Sequence, residues 1–250
     1  MVNIDNVYQK VLVLANKEQR GYITPQEFNL FANQAQLEIF EQYFYDINQF
    51  RRQPGNEIEY SDMLDVLNQK TAPFETVSEV LPFTSNAATQ NMGISTLPIN
   101  LYRLGTVMHV SLIGGVATSV EAEELSQNDF LYIDSSPLTR PTRTRPIYIR
   151  RNNLGGIADG VQVLPDPSLL PTVITCTFIR TPATVRWGYV VISEKAMFDP
   201  STTTHFELCP AEETDLVYKI LKYAGVSMDK DSIMRAGQGM EMAKISQEKQ

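Results

Sequence analysis

One stretch governs what this chain can become. From Thr24 to about Gln53, Phe28, Phe31, Ala35, Ile39, Tyr43, Ile47 and Phe50 recur every three or four residues, which predicts about 40 Å of helix at about 1.5 Å per residue. Thr24 as N-cap, Pro25 at the first helical position and Glu27 three residues after the cap form the reciprocal capping-box arrangement. Leu30, Leu37, Phe40 and Phe44 fall beside or opposite the row, so the helix is apolar on more than one side. Such a helix is either the centre of a bundle or lies between its own domain and a neighbouring subunit. Pro54-Gly55 is the stop signal.

Helical spacing brackets that element. Val7, Val11, Leu14 and Ala15 predict an amphipathic helix over 6–17, closed by Gly21. Ser61 caps a shorter one carrying Met63, Leu64 and Leu67, which Pro73 ends. Residues 84–95 are small and polar, an exposed loop. Strand-like runs follow at 105–113, 116–121, 147–151, 161–164, 173–180 and 185–192. Gly114-Gly115 reads as a hairpin turn and 152–160 as a wider one, with one short helix capped by Ser126 between the strands. Pro210 opens a further helix with Glu212, Glu213 and Asp215 in its first turns and Leu216, Val217, Ile220, Leu221 and Ala224 as its stripe, ended by Gly225. The stretch from Asp229 to about Gln247 is weakly helical, because Gly237 and Gly239 each cost about 1 kcal/mol relative to Ala. The expected class is α+β, a helical bundle with an inserted antiparallel strand-rich domain. Residues 1–82 are its N-terminal helices, 83–205 the β-rich insertion and 206–250 the C-terminal helices.

Chemistry is harder to find than architecture. His109 and His205 are the two histidines, and neither sits in a nucleophile elbow, an HExxH or a phosphate loop. The acidic pairs Glu123-Glu124 and Glu212-Glu213 read as a solvated face and a helix N-terminus. The expectation is therefore a non-enzyme without cofactor or metal. Cys176 and Cys209 stand 33 residues apart without ligand spacing, and Cys176 reads as a small buried hydrophobe. Residues 16–27 imitate a calcium loop at Gly21, Ile23 and Glu27. Arg20 stands where an oxygen donor belongs, so a helix-turn-helix joint is expected there. No apolar run approaches the roughly 20 residues of a membrane span, and the first residues lack the order of a signal peptide. A net charge of −8 argues against binding nucleic acid over the whole surface.

The local exception is Arg140, Arg143, Arg145, Arg150 and Arg151, stiffened at the start by Pro137, Pro141 and Pro146. An extended arm of guanidinium groups is a solvated loop, a docking element for an acidic partner such as the 121–124 segment of another copy, or a phosphate contact.

Two segments carry a family resemblance. One is Asn16-Lys17-Glu18-Gln19-Arg20-Gly21-Tyr22-Ile23-Thr24-Pro25 with Glu27-Phe28-Asn29. The other is Phe206-Glu207-Leu208 with Pro210, Leu216-Val217, Lys219-Ile220-Leu221 and Tyr223-Ala224-Gly225. Together they resemble virion proteins of tailed bacteriophages that look like head-to-tail adaptors, also called connector or ring proteins. The resemblance implies a ring of twelve copies beneath the portal protein, with tail or nozzle proteins below. Genomic DNA would pass through without specific binding, and a membrane plays no part. The protein would be made in the host cytoplasm and reside in the virion at the head-tail junction. A C-terminal arm would reach the portal, with Ile233, Met234, Met240 and Met242 as its apolar contacts. An acidic channel lining follows from the need to let DNA slide, since each phosphate contact slows passage. The alternatives are another virion component, a tail or minor capsid protein, or a DNA-binding packaging factor using the arginine cluster.

Overall fold

The structure is a computed structural model that describes residues 1–16, 23–52, 63–78, 81, 83–84, 94–113, 116–154, 157–165, 172–227 and 231–248. It is an α+β protein whose chain divides into two compact units, 1–73 with 182–250, and 74–181. The inserted unit thus begins and ends earlier than the expected 83 and 205. The reason is that strand β1 (Glu75–Ser78) pairs with β9 (Thr172–Arg180), while the segment after Pro182 belongs to the helices.

The first unit is helical. α1 (Ile4–Asn16) buries Ile4, Val7, Tyr8, Val11 and Ala15, but Leu14, expected in that stripe, is 40% exposed. α2 (Pro25–Phe50) starts as the sequence predicts: the Glu27 amide donates to Thr24 Oγ1 at 3.3 Å, and the Thr24 amide donates to Glu27 Oε2 at 2.9 Å. α2 buries Phe28, Ala32, Ala35, Ile39, Phe40 and Tyr43, and leaves Leu30 71% exposed. α3 (Met63–Thr71) packs on α2 through buried Leu67. α5 (Glu213–Ser227), preceded by a 3₁₀ turn at Pro210–Glu212, is the hub: α1, α2 and α6 (Asp231–Glu248) all pack on it. α5 runs through Gly225 rather than stopping there. α6 is one unbroken antiparallel partner of α5, where a weak helix was expected. Gly237 permits the close approach, since a Cβ there would lie 3.1 Å from the Lys222 amide nitrogen. The expected stop at Pro54-Gly55, the cap Ser61 and residues 17–22 of the calcium-like loop fall outside the described residues.

Residues 185–187, the start of the strand expected over 185–192, instead run with 183–184 extended along α2, held by helix side chains. Asn33 brackets Val185, accepting from its amide at 2.9 Å and donating to its carbonyl at 2.9 Å. Asn29 does the same to Trp187 at 2.7 and 3.3 Å, and Gln36 donates to the Ala183 carbonyl at 2.8 Å. Only then does a two-stranded hairpin begin, β10 (Tyr189–Ile192) with β11 (Lys195–Phe198).

The second unit is two sheets and a helix. One sheet has the order β1-β9-β4-β5, with β4 (Leu101–Ile113) and β5 (Val116–Glu121) as its hairpin. The other has the order β2-β3-β8-β7-β6, from β2 (Phe83–Thr84), β3 (Ile94–Thr96), β6 (Glu123–Glu124), β7 (Ile147–Leu154) and β8 (Ile157–Leu164). All pairs are antiparallel except β6 with β7. Val107, Ile174, Cys176 and Phe178 of the first sheet meet Tyr148, Val161 and Val163 of the second in one core. Alternate residues Ile147, Ile149 and Leu164 point the other way, onto Phe130 of α4 (Gln127–Ser135). Ser126 caps α4 by accepting from the Asp129 amide. Leu154 pairs with Ile157, so the connection expected to be wide is a tight hairpin whose turn residues lie outside the described ones. Thr84, Ile94 and Ser95, at the two ends of the loop expected over 84–95, belong instead to β2 and β3. At the bulge in β4 after Leu104, Gly105 is required: a Cβ would stand 2.6 Å from Thr177 Oγ1 and 2.9 Å from its carbonyl oxygen.

Candidate functional sites

The arginine cluster is divided by the pleat of β7. Arg150 and Arg151 are successive strand residues and therefore face opposite ways. Arg150 Nη2 pairs with Asp159 Oδ2 at 2.8 Å, while the Arg151 guanidinium lies 5.8 Å from the centre of the Phe130 ring on the α4 side. Arg140, Arg143 and Arg145 are exposed on the connecting segment, where Thr142 and Arg145 form a one-bridge turn. The five residues do not form one face. Arg143 acts on His109: burial pushes the imidazole pKa down, and the nearby guanidinium pushes it further. His109 is fully buried, with neither ring nitrogen hydrogen-bonded. It is a neutral core residue rather than a base open to a substrate.

Within the same unit, Glu121, Glu123 and Glu124 line a groove of about 420 Å³ with Gly105, Thr106 and Tyr148. The Tyr148 hydroxyl donates to Glu124 Oε2 at 3.3 Å, and burial followed by that acidic neighbour raises the phenol to about 12. Cys176 is a buried free thiol that burial pushes up to about 11, so it is a poor nucleophile.

The α6 candidates are spread around the helix. Met242 is 71% exposed and Met234 and Met240 are half-buried, whereas the side chain of Ile233 lies outside the described residues. What the spacing of apolar residues did not disclose is how α6 is held. Lys219 Nζ, 5% exposed, donates to Glu241 at 2.7 Å and to Glu38 of α2 at 2.9 Å. Lys222 reaches Glu241 at 3.3 Å, Lys244 pairs with Asp215, and Lys70 of α3 pairs with Glu212 at 2.6 Å. Four lysines and four carboxylates thus link α2, α3, α5 and α6 beside a cavity of about 270 Å³.

Burial sets the titration of this cluster. It works against the charge of Lys219, yet Glu241 and Glu38 outweigh it and raise the ammonium. It works against Glu38 as well, where the Tyr223 hydroxyl and Lys219 outweigh it and lower the carboxyl. Glu212 is lowered because Lys70 outweighs burial. Asp215 goes the other way, to about 6, because burial and adjoining Glu212 together exceed the pull of Lys244. The partners are up to 185 residues apart in sequence, and no local pattern announces them.

Among the described residues, no group of three or more His, Cys, Asp or Glu side chains is placed to hold a metal ion. No helix of the described residues is long and apolar enough to cross a membrane. No protein-family model matches the chain, and a comparison with curated proteins finds no match.

Proposed function

We propose that the chain is a structural virion protein, a head-to-tail adaptor that assembles as a ring below the portal, extends the DNA channel and joins it to the tail. The observation that carries this reading is the apolar surface of the helical unit. Leu30, Val13, Val190, Val191, Ile192 and Met197 are each at least 50% exposed, on α2, α1 and the β10–β11 hairpin. Single exposed hydrophobics need no explanation, but a run of them on a built hairpin marks an interaction surface. The ionic cement of α6 and the amide clamp on 183–187 favour a rigid building block over a mobile catalyst.

The net charge of −8 suits a conduit that does not retain its cargo. The dispersal of the arginines, with Arg150 and Arg151 on opposite faces of β7, disfavours the packaging-factor reading, because phosphate tracking needs a continuous basic face. The sequence resemblance supplies the position at the portal.

The test is electron microscopy of the protein mixed with the portal protein encoded in the same genome. A ring seated on the portal is the expected result; density on the tail or capsid alone would overturn the adaptor assignment. In parallel, Arg143→Ala with Arg145→Ala is expected to leave DNA affinity unchanged. A large loss of DNA binding with a steep salt dependence would favour the packaging factor instead.

A further inference from the structure

The helical unit carries two apolar surfaces that its own core does not use. The first is the β10–β11 hairpin. It is a two-stranded sheet of its own, and among the described residues neither outer edge has a strand partner. Val190, Val191, Ile192, Met197 and Phe198 are 38–62% exposed, and because strand neighbours alternate, apolar side chains stand on both faces of the ribbon. It is a built feature rather than a loose loop. Ser193 and Glu194 at its tip have φ of 51° and 63°, the pair of positive values that matches the twist of a two-residue hairpin turn. Trp187 stacks on Tyr189 at 5.8 Å and lies 5.9 Å from Phe198, fixing the root. Two-stranded ribbons of this kind are marginal alone in water, and bare edges invite pairing.

The second surface is a groove of about 470 Å³ between α1 and α5, lined by Lys10, Val13, Leu14, Val217 and Tyr218. Val13 is 62% exposed and Leu14 40% exposed. At about 100° per residue Val13 points away from the Ile4, Val7 and Val11 face that enters the core, and Leu14 lies at the edge of that face. They also differ from the side of α1 that anchors the hairpin root, where Asp5 accepts from Trp187 Nε1 at 2.9 Å and Tyr8 packs on the Trp187 ring at 4.2 Å.

The two surfaces match in charge as well as in apolarity. The hairpin tip presents one acid and one base, the exposed Glu194 and Lys195. The groove presents one base and one acid at its rim, Lys10 paired with Glu213 at 2.7 Å, with the lysine side chain 58% exposed. A partner that supplies an apolar ribbon ending in an acid-base pair is on the page: a second copy of this chain.

We propose that the β10–β11 hairpin of one copy seats in the α1–α5 groove of the next, with Glu194 against Lys10 and Lys195 against Glu213. Because the two patches are different parts of one unit, the contact is heterologous, and its repetition closes a ring or runs into a filament. The proposal rests on the ring reading above and gives that ring a contact.

The test uses the full chain and sedimentation velocity. Ile192→Glu spoils the hairpin and Val13→Glu spoils the groove, both at exposed positions. Near-ultraviolet circular dichroism checks that each variant keeps the native fold. The expected result is that the wild type self-associates with concentration, while each variant alone is monomeric. Mixed in equal amounts they form a dimer and nothing larger, since the mixture retains one intact contact. Lys10→Glu is expected to weaken association about tenfold or more, with Glu194→Lys restoring it.

If the wild type assembles and both variants still do, the contact is wrong although the ring survives. A groove variant that dimerises while the hairpin variant does not would mean hairpin-to-hairpin pairing and would also overturn the proposal. A wild type that stays monomeric at every concentration sinks both the contact and the ring reading.

Discussion

Two glycines on one helix test how far a missing side chain can be explained by its surroundings. Both Gly237 and Gly239 weaken α6 by helix propensity, about 1 kcal/mol each. Nothing lies within 4 Å of a Cβ built at Gly239, whereas one at Gly237 meets backbone atoms of Lys222 at 3.1 and 3.3 Å and the Tyr218 carbonyl at 3.3 Å. Gly239→Ala should therefore slow hydrogen exchange of the α6 amides by about fivefold, the kinetic equivalent of about 1 kcal/mol. Gly237→Val should speed it, because backbone cannot yield as a side-chain tip can. Equal effects of the two substitutions would refute the close-approach account. Asp215 supplies a second residue-scale test. Its folded pKa of about 6 lies above its ordinary 3.8, so the folded state binds that proton more tightly. The contribution is fully present below about pH 4 and is lost as the pH rises through about 6. Neighbouring Glu212, held low by Lys70, contributes in the opposite sense, above its ordinary 4.5 and lost as the pH falls. Between pH 5 and 7 the Asp215 change dominates this pair. Urea midpoints followed by Trp187, the single tryptophan, should fall over that interval in the wild type. The fall should be smaller in Asp215→Asn. Parallel slopes would show that Asp215 is ionised already at pH 5.

At the scale of elements, the clamp between α2 and 183–187 makes the sharpest claim. Asn33 makes both hydrogen bonds to the Val185 backbone, and with Ala at that position a buried amide and carbonyl lose their partners. The expected cost is about 2–6 kcal/mol, from about 1–3 for each unsatisfied group. The Val185 amide should lose its exchange protection, while amides of β4 and β9 keep theirs. If Val185 stays protected in Asn33→Ala, the segment is held by the burial of Val185 and Trp187 rather than by the amides. The same segment shows where sequence was legible and where it was not. Val185 and Trp187 alternate with exposed residues as a strand would, but the alternation records packing on a helix, and period-two burial cannot tell the two apart. Long strands β4, β5, β7, β8 and β9 were readable because enough residues carry the alternation. β1, β2, β3 and β6 have two to four residues each, too few to hold a period. The α2 start was readable because a capping box is local. The ion pairs that bind α6 to α5 and α2 were not, because Lys219 and Glu38 meet across 181 positions. The arginine run was visible as composition, but its division across the pleat of β7 depended on a register that the run itself does not encode.

The whole molecule is two bodies threaded by one chain, and the threading is the last thing that can be put to test. Entry to and exit from the inserted unit are neighbouring strands: Glu75 of β1 pairs with Ile179 of β9, which places paired backbones about 5 Å apart. Thr181 is tied to Asn100 of the same unit by an amide hydrogen bond of 2.8 Å, so the unit's last residue stays with it. Among the described residues its core, from Val107 and Cys176 across to Tyr148 and Val163, draws on residues between Leu81 and Phe178. A unit with a private core and adjacent ends should fold when cut out and leave its host intact when removed. The fragment 74–181 is expected to be β-rich by circular dichroism and to unfold cooperatively in urea. The complementary chain, with 74–181 replaced by a short Gly-Ser link between Pro73 and Pro182, should keep the buried emission of Trp187. That side chain is 2% exposed and packs on Tyr8 within the helical unit. Intact protein should then show two transitions in heat or urea, with tryptophan reporting only one of them. A fragment without a cooperative transition would show that the sandwich depends on its host. Solvent-exposed Trp187 in the shortened chain would show the reverse dependence.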